Sequence, residues 1–230
     1  MPKKTKAIKK TDVKAQKPWL KKVDASLYKI EVEETKKTIL IVGEGQTEKL
    51  YFESFPVLTL TVEAVDLKGQ SKLKLIESTT SIIENSETKY DEVWCVFDMD
   101  FKQGEKEFSD FDNAITKGKA LGYNIAYSND SFELWFYLHF NYTEQKHHRT
   151  FYYKFLSESW NLNYEKDGKA YKFCQTIYSK LENDKNASQE DAIERAEKLY
   201  NKQSHLPYHK QNPVSLVYEL VNYLNENKRK

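Results

Sequence analysis

The chain predicts an α/β fold: a right-handed parallel sheet of four strands, with helices covering both faces. Two observations lead there. Four short β-branched or aromatic runs alternate with longer segments whose apolar residues recur at helical spacing, and acids follow directly on two of those runs. In such a sheet ligand chemistry gathers at the carboxyl ends of strands, so acids at two strand ends are expected to converge.

The first strand, Thr38 to Val42, runs into Gly43-Glu44-Gly45-Gln46-Thr47-Glu48. Gly43 and Gly45 are expected to let the backbone turn sharply, and Thr47 to cap a helix carrying Leu50, Tyr51, Phe52 and Phe55. Glu48 lies about one helical turn past Glu44. It reads either as a first-turn acid favoured by the helix dipole or as a member of a metal cluster. Leu58 to Val65 nearly alternates, as a strand does, and breaks at Lys68-Gly69; Leu73, Ile76, Ile82 and Ile83 then mark a helix.

The third strand, Val93 to Phe97, ends in Asp98-Met99-Asp100. Alternate side chains of an extended chain point the same way, which puts both aspartates on one side and turns Met99 against the sheet. Such a pair favours Mg²⁺ or Mn²⁺, because hard cations prefer carboxylate oxygen and two unneutralised aspartates repel. The plain alternative is a polar cap on the strand. Phe108, Phe111, Ile115 and Leu121 mark an amphipathic helix ended by Gly122, and Tyr123 to Tyr127 gives the fourth strand. Ser131 is expected to cap an apolar helix through Leu134, Trp135, Phe136 and Leu138. Glu133, in its first turn, is either an acid that merely favours the helix dipole or, the preferred reading, a metal ligand or a group supporting one.

Residues 141 to 230 read as helices. Phe173, Ile177 and Leu181 share a face, Ser188 with Asp191 resembles a capping box before Ala192, Ala196 and Leu199, and Asn212-Pro213 starts a helix carrying Leu216, Val217, Leu220 and Leu224. Lys146-His147-His148-Arg149, followed by Phe151, Tyr152 and Tyr153, mixes positive charge with stacking surface that could contact single-stranded nucleic acid, but in a chain with sixteen tyrosines core packing is the better reading of these aromatics. His205 and His209 are four apart, but they enclose Pro207 and lack the acid of a zinc-protease motif. Cys95 and Cys174 have neither metal-ligand nor redox spacing and are read as core residues.

Composition sets wide bounds. No apolar stretch approaches a membrane span and no hydrophobic signal region opens the chain, so a cytoplasmic location is expected. A total charge of +1 conceals an uneven distribution: residues 1 to 22 hold nine lysines and one acid, a local +8, which leaves −7 on the remaining 208 residues. The expected organisation is a basic leader over 1–35, an α/β domain over 36–140 and a helical extension over 141–230. A lysine-rich leader near an acidic metal site is expected to bind phosphates of DNA or RNA. Lys3, Lys4, Lys6, Lys9 and Lys10 are the contacts there, with Lys102, Lys146 and Arg149 in the body.

The motifs Gly-Glu-Gly-x-Thr-Glu at 43–48, Phe-Asp-x-Asp at 97–100 and Ser-Asn-x-x-Phe-Glu-Leu-Trp at 128–135, with Leu138-His139-Phe140, resemble the RloB-like family, whose core is a Toprim domain. The resemblance is close over about 38–140 and looser beyond. It implies a Toprim-like four-stranded parallel sheet with a helical C-terminal extension, and a catalytic set of Glu44, Asp98 and Asp100. It also implies Mg²⁺ or Mn²⁺ held by these residues together with Glu48 and Glu133, and nuclease activity in defence against phage beside an ATPase partner called RloA. A non-catalytic nucleic-acid-binding or regulatory subunit of such a complex is the alternative. The chain departs from the family pattern at Asp130-Ser131, where members often carry Pro-x. A phosphatase of the haloacid-dehalogenase type is disfavoured, because Lys102 stands where Thr or Val is usual and Glu44 would have no role.

Overall fold

A computed structural model describes residues 37–67, 71–99 and 104–228, with the backbone alone for 104–107. The leader's lysines, Lys68-Gly69, Asp100 and Lys102 lie outside the described residues. Five strands form one sheet in the order β2-β1-β3-β4-β5, with β1 (Ile39–Gly43), β2 (Leu60–Ala64), β3 (Glu92–Asp98) and β4 (Asn124–Asn129) parallel. Every residue of β1 is buried, as expected for a central parallel strand covered on both faces.

The fifth strand corrects the expected four-stranded, all-parallel sheet. β5 (Val214–Ser215) lies antiparallel to β4, joined by the Ser128–Ser215 hydroxyl contact at 2.8 Å and by Leu216 N–H donating to Tyr127 O at 2.8 Å. A sheet edge with unpaired backbone groups is relieved by any segment that pairs with it. The helix expected from Pro213 accordingly begins later, as α9 (Val217–Glu226).

The connecting helices are α1 (Gln46–Glu53), α2 (Lys72–Asn85), α3 (Gly104–Ala120) and α4 (Glu133–Leu138). Gly122 ends the third of them at φ 83°, as its position predicts, although Leu121 is exposed rather than packed. Beyond α4 come α5 (Arg149–Trp160), α6 (Tyr171–Cys174), α7 (Ile177–Asn183) and α8 (Gln189–Gln203). The face shared by Phe173, Ile177 and Leu181 is thus divided between two short helices. Ser188 caps α8 as expected, its hydroxyl accepting from Asp191 N–H at 3.0 Å.

Two other caps differ. Gly45, not Thr47, caps α1, and Phe132, not Ser131, precedes α4. Cys95 and Cys174 are both buried thiols, as expected. Among the described residues no helix is long and apolar enough to cross a membrane.

Candidate functional site

The strand order reverses between β1 and β3, and chains leaving such a switch point diverge to open a crevice beyond the carboxyl ends of the strands. Gly43 pairs in register with Val96, so Glu44 leaves β1 level with the end of β3. There Asp98 N–H donates to Glu44 Oε2 at 3.3 Å. Lys72, the first residue of α2, pairs its ammonium with Glu44 Oε1 and stands 4.0 Å from Asp98 Oδ1.

The other oxygen of Asp98, Oδ2, accepts from Phe132 N–H at 3.4 Å and lies 3.8 Å from the Arg149 guanidinium. Arg149 is held in turn by the fully buried Asp130, whose Oδ2 accepts its backbone N–H at 2.8 Å and whose Oδ1 is 3.5 Å from the guanidinium. Buried Glu133 meets Lys169 Nζ at 3.4 Å and the Tyr164 hydroxyl at 3.3 Å.

Glu48 has no ion pair among the described residues. Burial pushes its carboxyl up to about 7, assisted by the charges of Asp98 and Glu133 and opposed by its own N–H and Lys169. Glu44 is also raised well above the usual carboxylate range, by burial and then Asp98, against Lys72. Burial works to lower the Lys169 ammonium, but Glu133, Tyr153 and Asp98 outweigh it and raise its pKa.

The chain bends at Glu44 and Gly45, the sharp turn expected of the two glycines. Neither takes a positive φ. A Cβ on Gly43 would stand 3.1 Å from Glu48 Cβ, and one on Gly45 would stand 3.0 Å from Glu48 Oε2. Their missing side chains make room for that carboxyl.

The sequence-predicted acids therefore separate into two groups. Glu44 and Asp98 touch through one N–H and one ammonium; Glu48 and Glu133 act on Asp98 or on each other through charge, without joining that contact. Lys72, Asp130, Tyr164 and Lys169 were not anticipated as site residues, and Arg149 serves the acids directly. Five carboxylates (Glu44, Glu48, Asp98, Asp130 and Glu133) face three cations (Lys72, Arg149 and Lys169), a formal excess of two negative charges when all are ionised. Oxygen donors in such excess suit a hard divalent cation. Among the described residues no three His, Cys, Asp or Glu side chains stand close enough to hold a metal together. Glu44 and Asp98 fit as two of its ligands, and the Lys72 ammonium between them is the charge an ion would replace.

A family model described as RloB-like protein matches residues 39–224, and the chain belongs to that family. No curated protein and no solved structure matches it.

Proposed function

We propose that this member of the RloB-like family is a metal-dependent nuclease of the Toprim type, hydrolysing phosphodiester bonds of DNA or RNA, in phage defence beside an ATPase of the RloA kind. The observation carrying this reading is the meeting of Glu44 and Asp98, 54 residues apart in sequence, across one ammonium at the switch point of the sheet.

Asp98 and Glu44, with Asp100 following in sequence, would hold Mg²⁺ or Mn²⁺, and Glu133 would contribute to the surrounding charge. When bound, such an ion lowers the pKa of water and stabilises charge developing on phosphate oxygens. The chain's own groups do the rest. The Phe132 N–H fixes the Asp98 carboxylate through Oδ2. Arg149 and Lys169, anchored by Asp130 and Glu133, present cations to a phosphate. Lys72, displaced from Glu44, becomes a third. Glu48, with its carboxyl near 7, is matched to gain and lose a proton at neutral pH, the condition for a general acid or base.

One observation favours a binding subunit without turnover: the Lys72 ammonium already stands between Glu44 and Asp98, where an ion would sit. Plasmid, single-stranded DNA and tRNA incubated with Mg²⁺ or Mn²⁺ separate the readings. The wild type is expected to cut at least one of them, with Glu44→Ala and Asp98→Ala slower by roughly a hundredfold or more. Equal rates in all three proteins reject the assignment. Retained nucleic-acid affinity with no turnover under any metal, with or without the ATPase, selects the binding subunit.

A further inference from the structure

A second cleft of about 730 Å³ opens beside α3, lined by Phe108, Ser109 and Asp112 of that helix and by His209, Lys210 and Asn212. Its central feature is a fixed imidazole. The His209 ring stacks on Phe108, with centroids 5.2 Å apart and planes within 18°. Its Nδ1 stands 2.7 Å from Asp112 Oδ2, and its backbone N–H donates to Asp112 Oδ1 at 2.8 Å. The Nδ1 contact and the stack on Phe108 orient the ring, and Nε2 has no partner among the described residues. Lys146 and Lys210 also line the cleft; both are exposed, and neither has an ion pair among the described residues.

The cleft leads toward the acidic site. A smaller cavity of about 130 Å³ shares Lys146 and Asn212 with it and adds Asp130, His147 and His148. Asp130 is the carboxylate that holds Arg149 against Asp98. Asn129, the residue before it, donates to His209 O at 3.4 Å and accepts from the Asn212 side chain at 3.0 Å, which ties the cleft wall to the end of β4.

We propose that this cleft binds an unpaired nucleotide of a single-stranded nucleic acid, its base against the Phe108–His209 pair and its phosphate met by Lys146 and Lys210. Cations alone would suit any polyanion. The ring pair narrows the choice, because a base offers its face to an aromatic wall only when it is unstacked and unpaired. A volume of this size is that of a small-molecule pocket, ample for one nucleotide unit and far short of a duplex. The proposal rests on the nuclease reading for one thing only, that the strand continues past Asp130 to a phosphodiester at Asp98.

The experiment measures binding of a fluorescent 12-nucleotide single strand and of the matching duplex to the full chain in EDTA, where cleavage does not intervene. The wild type is expected to prefer the single strand. The Lys146→Ala, Lys210→Ala double variant should bind the single strand about tenfold more weakly and flatten its salt dependence by about one to two in log–log slope. His209→Ala should weaken it by roughly tenfold through lost stacking, with little effect on the duplex. Thermal melting of each variant confirms that it is folded, and the exposed lysines carry the test if His209→Ala is not. The idea is overturned if the lysine variant binds as the wild type does, or if duplex and single strand bind alike and weaken alike. If the chain proves unable to cut nucleic acid with any metal, the nuclease reading fails while these binding differences still decide the cleft.

Discussion

Glu48 keeps its proton to about pH 7 in the folded chain, whereas an unfolded glutamate releases it near about 4.3. Between those values the folded state binds more protons, so stability falls as pH rises. The contribution is fully present below the unfolded value and is lost as pH passes through about 7. Linkage gives about 4 kcal/mol for this one group. Denaturant unfolding of Glu48→Gln, which keeps the shape without the charge, should show that much less decline between pH 4 and pH 8 than the wild type; parallel profiles would contradict the placement. The acids were legible in the sequence where backbone alternation delivers them: Glu44 after β1 and Asp98 at the end of β3. Lys72, Lys169 and Tyr164 were not, since a lone polar residue at a helix start or in a loop has no period to mark it. The Asp112–His209 pair spans 97 residues and had no local signal at all.

At the scale of elements, the loop from α5 to α6 depends on a glycine for its closeness to the site. Gly168 N–H donates to Tyr164 O at 3.0 Å, and a Cβ added there would stand 2.6 Å from that same oxygen and collide with the Tyr164 ring. The obstacle is backbone and a buried ring, neither of which yields cheaply. Gly168→Ala is expected to cost about 1 to 3 kcal/mol by overpacking, more than the roughly 0.4 to 1 kcal/mol that alanine returns by restricting the unfolded chain. The denaturation midpoint should fall accordingly. Because Tyr164 and Lys169 both bond Glu133, the variant should also cut more slowly; an unchanged midpoint would show that the loop sits farther out. The four parallel strands and their helices were readable because each has enough residues to display its period. β5 was hidden, since two residues cannot show alternation and its partner lies about 85 positions earlier. The break between α6 and α7 was hidden for a related reason: Phe173, Ile177 and Leu181 keep helical spacing across it.

Over the whole molecule, charge is arranged against the substrate proposed for it. A polyanion approaching 208 residues with a net −7 is repelled at long range, and the site itself is richer in carboxylates than in cations. Local cations must reverse that repulsion, and the chain concentrates +8 in residues 1 to 22. Lysines that neutralise phosphates release condensed counterions, so each contact adds about 0.7 to the log–log salt dependence on a single strand. Deleting residues 1 to 22 should therefore flatten that slope by about three or more and weaken binding most at low salt, where screening is least. The rate at saturating substrate should hold within about twofold, because Glu44, Asp98 and their partners all lie outside the deleted segment. Binding titrations from low to high salt, run beside single-turnover cleavage, separate the two effects. An unchanged slope would assign polyanion capture to the body of the chain alone, and a collapsed saturating rate would place the leader within the chemistry rather than ahead of it.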